Sequence, residues 1–278
     1  MSDRPQPIPP ILRDKHHGAP SAFAPESLLR EARRQKDVEV VLVPNVCLLD
    51  PDGDIVRRLR SDGRARRHEG WVCYHTELWT FELDGREVGV VGCAVGASFA
   101  VLVAEEMFAS GCELLLSVTS AGQIVPVGAP PYFVLIEKAL RDEGTSYHYL
   151  PPSDWAEAPE AEITALREGL AELAEPVRTG ASWTTDAPFR ETEAAIAAAR
   201  ARGILAVEME AAGLYAFANA RQKRVVCFAH VTNQMGAVDG DFEKGPAGGV
   251  TAALELVSAS ARILLAHDVA DSPGEVAP

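Results

Sequence analysis

The sequence is poor in cysteine and in basic residues, and each shortage argues against a class of protein. Its five cysteines are scattered and form no CxxC pair, which indicates buried, reduced thiols rather than a metal site or redox switch. Lys and Arg total 26 against 40 Asp and Glu, a formal charge of -14. Because phosphate backbones are bound by clustered Lys and Arg, no nucleic-acid partner is expected, although a neutral nucleoside is not excluded.

Long apolar runs are also missing. No uninterrupted run is long enough to span a bilayer, and residues 1–5 carry no apolar segment of the signal-peptide type. The sequence therefore predicts a cytoplasmic protein with no membrane partner. With 278 residues and 47% hydrophobic content, the chain can bury one large core.

Predicted strands and helices alternate along the chain and indicate an α/β fold, a three-layer α/β/α sandwich with a mixed central sheet. Val38–Val43 predicts the first strand, and Asp84-Gly85 between two apolar runs predicts a hairpin. We expect residues 1–24 to be disordered, 25–268 to form a single domain, and 269–278 to be a flexible tail.

Strand ends give the candidate walls of a ligand site. In open α/β sheets, ligands bind where strands end and loops begin. The predicted walls are the loops that follow Cys93, Thr119, Trp183, Val207 and Val231. Ser120–Gly122 is predicted to be a tight loop of this kind.

The most informative segment is Val207–Gly213, with the sequence VEMEAAG. It places Glu208 and Glu210 at the start of an alanine-rich run that predicts a buried helix from Glu208 to Ala220. A buried carboxylate is costly unless it is hydrogen-bonded. At least one of the two is therefore expected to face a polar cavity or a polar ligand.

Five segments, taken in order, resemble the nucleoside phosphorylase superfamily and its uridine phosphorylase-like branch. The similarity runs from about Val41 to Ala266, and the Glu-Met-Glu segment is its most specific part. The segments are Gly92–Ser98 (which contains Ala94), Thr119–Gly122, Arg141–Pro152, Trp183–Arg190 and Val207–Gly213.

The resemblance implies roles for individual residues. Glu210 would accept hydrogen bonds from the ribose hydroxyls, with Met209 packed on the sugar and Glu208 in support. A carboxylate there would favour the positive charge that builds on the sugar as the C–N bond breaks. The remaining substrate-binding candidates are Ser120 (anion or ribose), Thr119 and Ala94 (glycine loops), Phe189 (base face), Arg190 (pyrimidine edge) and His148.

Two of these assignments have further consequences. His148 lies between two tyrosines, so a packed histidine and a site residue both stay open. Asn233 matches the position where purine-cleaving members carry an acidic Asp and pyrimidine members an Arg. Because an amide cannot supply a proton, Asn233 favours a pyrimidine or a 6-oxopurine over a base that must be protonated.

The chain departs from the family at the phosphate site. Where phosphorolytic members carry arginines, it has the acidic loop Asp50–Ile55, with Asp54 nearest the first arginine and Ser117 at the second. An acidic loop repels a phosphate dianion, whereas Arg matches it. Non-equivalent arginines (Arg57, Arg58 or Arg60) could replace them only if the register shifts.

Three functions follow from that departure. In the first, water replaces phosphate as the nucleophile and Asp52 or Asp54 acts as its base; this hydrolytic function is slightly favoured. Alternatively, phosphate is a co-substrate held by non-equivalent arginines, or the chain binds a nucleoside without cleaving it. The resemblance implies no metal or organic cofactor, and a homo-oligomer between dimer and hexamer.

Overall fold

Ten β-strands within the described residues build one mixed sheet. The protein is described by a computed structural model that covers residues 8–171, 173, 176–236 and 239–271. The strands are β1 Val46–Asp50, β2 Ala65–Arg67, β3 Leu78–Leu83, β4 Arg86–Gly92, β5 Leu114–Gln123, β6 Tyr132–Asp142, β7 Trp155–Glu157, β8 Val177–Thr185, β9 Ala206–Glu208 and β10 Arg224–Asn233.

The strand order is β10-β6-β8-β9-β5-β1-β4-β3-β2, with β7 paired to β6. β10 also pairs with β5, so that β5, β10, β6, β8 and β9 close into a ring of five strands. Pairing is parallel in β4–β1–β5–β10 and antiparallel along the β2–β3–β4 edge. The closed ring was not foreseen from the sequence.

Helices cover both faces of the sheet, which confirms the predicted three-layer α/β fold. They are α1 Pro25–Lys36, α2 Asp54–Ser61, α3 Ala97–Ala109, α4 Ser146–Tyr149, α5 Glu160–Gly169, α6 Glu193–Ala201, α7 Ala211–Arg221 and α8 Val250–Asp271. Side chains alternate along β1: Cys47 and Leu49 join the core under α3 and α7, whereas Val46 and Leu48 join the core under α2, α5 and α8.

The strand predicted at Val38–Val43 is wrong. This segment has no strand, and β1 begins at Val46. Val40, Val41 and Leu42 are 70%, 49% and 66% exposed, whereas every residue of β1 is buried between β4 and β5. An apolar, β-branched run does not reveal which of two neighbouring segments enters the sheet.

Two further local predictions had different outcomes. The hairpin is confirmed, because β3 and β4 pair as far as Leu83 and Arg86 across Asp84-Gly85, both at positive φ. The loop predicted at Ser120–Gly122 is wrong: β5 continues to Gln123, because β10 pairs along it as far as Gly122.

The junction between β9 and α7 also differs from the prediction. Glu208 ends β9, and α7 begins at Ala211 rather than at Glu208. The backbone of Met209 and Glu210 therefore turns between a strand and a helix. This turn points backbone N–H groups of the first helical turn toward the carboxylate that ends the strand.

The described residues that precede α1 contact the domain. Pro10–Leu12 forms a 3-10 helix, and Lys15 and His17 contact His148 and Tyr147. Residues 1–7 of the predicted disordered segment lie outside the described residues, as do residues 272–278 of the predicted tail, so both boundaries stay predictions. α8 extends to Asp271.

One helix among the described residues, Pro246–Ala266, is long and apolar enough to span a membrane by length and composition. Its most apolar stretch is 56% buried inside the fold. Leu256, Val257 and Leu264 pack in the core under the sheet. These contacts are those of a core helix.

Tyr215 generates a test of the fold. It is fully buried, donates from its hydroxyl to the Ile136 carbonyl (2.6 Å) and accepts from the Cys227 amide (3.0 Å), so it links α7 to β6 and β10. Tyr215→Phe removes both hydrogen bonds and should lower the free energy of unfolding by about 1–3 kcal/mol. Urea titration measures the free energy of unfolding. The control Tyr74→Phe, at an exposed tyrosine, should change this free energy little.

Candidate active site

A cleft of about 670 Å³ opens where several strands of the ring end. Residues from four of the five predicted walls line it, although the wall after Thr119 is the end of β5 and not a loop. The segment after Cys93 does not line the cleft, but its Gly96 amide donates to Glu210. Its lining residues are Asp52, Ser120, Ala121, Gly122, Pro188, Phe189, Glu191, Ile196, Val207, Glu208, Met209, Thr232, Asn233, Met235, Phe242 and Lys244.

Glu208 is a buried carboxylate with four donors. Its Oε1 accepts from the hydroxyls of Ser182 (2.9 Å) and Thr184 (2.5 Å) on β8. Its Oε2 accepts from the amides of Glu210 and Ala211, both at 2.7 Å, at the start of α7. This satisfies the carboxylate and favours its charged form at a helix N-terminus, although burial raises its pKa.

Glu210 is 1% exposed and has fewer partners. Its Oε1 accepts from the Gly96 amide at 2.7 Å, and Oε2 from the Met209 amide at 3.3 Å. Gly96 has φ 89°, a conformation open to glycine, and this backbone aims its amide at the carboxyl. The strand-to-helix turns at Gly96 and Glu210 thus meet.

The two carboxyls act on each other's protonation. Burial, followed by the charge of Glu208, raises the pKa of Glu210 to about 8, while hydrogen bonds from Gly96 and Thr119 oppose the rise. Since Glu208 holds four donors, we assign the negative charge to Glu208 and the proton to Glu210 in the empty cleft. Hydrogen bonds donated by ribose hydroxyls to Glu210 would favour its ionised form.

Asp52 lines the cleft and is held by two neighbouring residues. Its Oδ2 accepts from the Ser120 amide (3.0 Å), from the Ser120 hydroxyl and from Lys244 Nζ (3.0 Å). Three donors that would suit an incoming anion are therefore taken by a side chain of the protein itself. Oδ1 accepts no hydrogen bond from the described residues and is available to water.

Asp54 extends this network away from the cleft. It pairs with Lys244 and with Arg57, each at 2.5 Å. Burial acts to raise the pKa of Asp54, but the hydrogen bonds from Lys244 and Arg57 outweigh it, so the pKa is lowered. Burial opposes the charge of Lys244 too, yet Asp54 and Asp52 raise its pKa. Two cations and two carboxylates thus balance.

The acidic loop also has a structural member. Asp50 is buried, and its oxygens accept from the amides of Gly53 (3.1 Å) and Val56 (2.9 Å) at the start of α2. Burial, with smaller contributions from the charges of Asp52 and Asp54, raises the pKa of Asp50 to about 6. Asp50 therefore shapes the loop that presents Asp52.

Of the three arginines considered as replacements at the phosphate site, one reaches this network. Arg57 binds Asp54 and the Asp52 carbonyl. Arg58 pairs with Asp62, and Arg60 lies over the Trp79 ring. Ser117, at the second arginine position, is buried within β5.

The substrate-binding candidates divide by position. Met209, Ser120, Phe189 and Asn233 line the cleft, Phe189 with its side chain 99% exposed. The Asn233 amide nitrogen donates to the Ala121 carbonyl (3.2 Å), and its Oδ1 accepts from the Met235 amide (3.0 Å).

The structure does not bring the remaining candidates to the lining of the cleft, and Glu210, at 1% exposure, is not among the lining residues either. Ala94 is fully buried, and Thr119 is buried beside Glu210. Arg190 is exposed on the 3-10 helix Pro188–Arg190. His148 is exposed; it lines a second cavity of about 590 Å³ and lies 3.0 Å from Lys15 Nζ.

Sequence reasoning missed two charged residues of the cleft, Lys244 and Glu191. Lys244 is separated from Asp54 by 190 residues, and its glycine-rich segment has no periodicity to place it. Glu191 directly follows the Trp183–Arg190 segment, so extending that motif by one residue would have included it. Among the described residues, no group of three His, Cys, Asp or Glu could hold a metal ion.

Comparison with known proteins gives a family match. A family model described as the phosphorylase superfamily matches residues 56–266. The DeoD-type purine nucleoside phosphorylase of Myxococcus xanthus (strain DK1622) is 31% identical over 145 residues, which cover 50% of this chain and 59% of that protein. The chain thus matches less than two thirds of that relative's length.

Solved structures show the same fold. Uridine phosphorylase from Vibrio fischeri ES114, complexed with 6-hydroxy-1-naphthoic acid, matches with a TM-score of 0.70 at 18% identity, covering 81% of this chain and 94% of that one. Purine nucleoside phosphorylase from Toxoplasma gondii, in complex with immucillin-H, matches with a TM-score of 0.68 at 14% identity, covering 81% and 93%.

The buried carboxyl pair generates a stability test. The pKa of Glu210 lies above its ordinary value of 4.5, so the folded protein holds this proton more tightly than the unfolded chain does. The stability it contributes is complete below about pH 4.5 and is lost as the pH rises through about 8. Because a glutamine side chain does not titrate, Glu210→Gln abolishes this loss. At the high-pH end of this window, the Tm of the variant should therefore exceed that of wild type by at least about 2 °C.

Calorimetry across that pH window measures the difference between variant and wild type. Glu160→Gln, at an exposed glutamate of α5, is the matched control and should follow wild type at every pH. A constant difference between Glu210→Gln and wild type across the window would contradict the assigned proton.

Proposed function

Because the chain belongs to the phosphorylase superfamily, we propose that it cleaves the N-glycosidic bond of a nucleoside and that water attacks the sugar. The observation that carries the choice of water is the position of Asp52. Its carboxylate takes the Ser120 amide, the Ser120 hydroxyl and Lys244 as donors. These groups would otherwise suit an incoming anion.

Charge balance supports the same choice. Lys244 is the cationic side chain among the described residues that line the cleft, and it is paired with Asp52 and Asp54. Arg57 is paired with Asp54. A phosphate dianion would have to displace carboxylates from both cations, whereas water costs no such exchange.

In this mechanism, water bound by Asp52 Oδ1 attacks C1′ of the ribose. The C–N bond breaks, its electron pair leaves with the base, and the water proton passes to Asp52. Glu210 accepts hydrogen bonds from the ribose hydroxyls, and Met209 packs on the sugar. The negative charge of the Glu210–Glu208 pair favours the cationic sugar of the transition state.

Phosphorolysis is the second candidate. All three proteins reported above as similar to this chain are named phosphorylases. Lys244 and Arg57 could hold phosphate if it displaced Asp52 and Asp54. Inorganic phosphate would then be a co-substrate; neither route needs a metal or an organic cofactor.

We also propose a cytoplasmic homo-oligomer, between dimer and hexamer. Val40, Val41 and Leu42 are consecutive exposed apolar side chains, which is typical of surfaces that another protein covers. The nucleoside is the proposed small-molecule partner.

The choice of nucleophile is tested by incubating the protein with a nucleoside panel, with and without inorganic phosphate. We expect free base and free ribose in phosphate-free buffer, and no acceleration by phosphate. Asp52→Asn should lower kcat about 10²-fold or more, because the amide cannot accept the water proton. Asp62→Asn, at an α2 carboxylate outside the cleft that pairs with Arg58, is the control and should keep full activity.

Each other outcome points to a different function. Ribose 1-phosphate formed only with phosphate would overturn hydrolysis in favour of phosphorolysis. Tight nucleoside binding without base release in either buffer would favour a non-catalytic nucleoside-binding protein.

The ribose role of Glu210 is tested with two substrates. Glu210→Gln should lower kcat/KM on a ribonucleoside about 10²-fold, because an amide accepts hydrogen bonds from the ribose hydroxyls more weakly than a carboxylate does. On the matching 2′,3′-dideoxynucleoside, which lacks the hydroxyls, the same substitution should cost clearly less. Equal losses on both substrates would contradict a contact between Glu210 and the hydroxyls.

A further inference from the structure

One carboxyl of the cleft has no part in the proposed mechanism. Glu191 follows the 3-10 helix Pro188–Arg190 and lines the cleft half-buried. Its side chain makes no hydrogen bond or ion pair with the described residues. Burial alone raises the pKa of Glu191 to about 7, so a large share of the group carries its proton at neutral pH.

Glu191 shares the cleft with several apolar side chains. Phe189 precedes it closely, and Ile196 on α6 and Met235 pack against one hydrophobic cluster. Asp52, Ser120 and Lys244 instead contact one another. The cleft therefore has a charged part and an apolar part, and a flat heterocyclic base suits the apolar part.

The charged groups around Glu191 are few. Arg190 and Glu193 flank it on its own segment and are exposed. Of the other cleft-lining charges, Asp52 and Lys244 are paired, and Glu208 is held by its four donors. No cation among the described residues pairs with Glu191, so nothing there holds it ionised.

The other polar residues at the cleft are engaged elsewhere, and the protonated Lys244 is paired with Asp52 and Asp54. Asn233 is an amide, and both ends of its side chain are engaged by backbone groups. His230 stacks on Phe133 outside the lining of this cleft, and burial lowers its pKa to about 4, so it is neutral. Glu210 faces the sugar in the proposed mechanism.

We propose that Glu191 is the general acid that protonates the departing base, and that the cleft accepts nucleosides whose base must gain a proton to leave, as adenine does. This assignment rests on the proposed cleavage reaction and replaces the restriction to pyrimidines or 6-oxopurines that Asn233 suggested. As the C–N bond breaks, its electron pair goes to the base nitrogen, which takes the Glu191 proton. Water adds at C1′ and gives its proton to Asp52; solvent then restores both carboxyls.

Two substrates separate a general acid from a structural residue. Adenosine needs a proton on its leaving group, whereas the nitrophenolate of p-nitrophenyl β-D-ribofuranoside leaves unprotonated. Glu191→Gln should lower kcat on adenosine about 10²–10⁴-fold and keep kcat on the nitrophenyl riboside within about threefold. The control Glu193→Gln, at an exposed glutamate two residues away, should match wild type on both.

The pH profile gives an independent readout. Wild-type kcat on adenosine should fall as the pH rises through about 7, where Glu191 loses its proton. The nitrophenyl riboside should lack that decline, as should the residual adenosine activity of Glu191→Gln.

Failure of this assignment differs from failure of the proposed function. Full adenosine turnover by Glu191→Gln, equal losses on both substrates, or a wild type that cleaves only pyrimidine nucleosides would overturn the acid. A wild type that releases neither base nor nitrophenolate would overturn the cleavage reaction itself.

Discussion

The buried charge of Glu208 is the constraint on which the cleft depends. Its four donors come from β8 and from the first turn of α7, so one carboxylate joins a strand to a helix and balances the helix terminus. The turn that results exposes Met209 to the cleft. It also sets Glu210 beside a fixed negative charge, which together with burial raises its pKa.

A second charge network joins the acidic loop to Lys244. Asp50 shapes the acidic loop, Asp52 accepts from the Ser120 amide, and Lys244 joins Asp52 to Asp54. The network is balanced without any ligand. This internal pairing is the basis of our proposal that water, rather than phosphate, attacks the sugar.

Much of the site could be predicted from local sequence. The Glu-Met-Glu segment was recognisable because buried carboxylates are costly, and most of the predicted loops line the cleft because strand ends gather at one edge of a sheet. Val38–Val43 was misassigned because apolar pattern does not choose between neighbouring segments. Lys244 was missed because its partners lie about 190 residues away. His148 and Arg190 were predicted to bind substrate but lie outside the cleft lining, because motif position does not fix side-chain direction.

The sequence by itself determined the α/β class, the mixed sheet and the position of the buried carboxylates, since alternating apolar periods and the cost of burying charge are local properties. Only the tertiary structure decided that five strands close into a ring, that Lys244 neutralises Asp52 and Asp54, and that Glu191 lines the cleft with no partner among the described residues. The physical reason is that the charge state and partners of a side chain depend on burial and on residues distant in sequence, which no local pattern encodes.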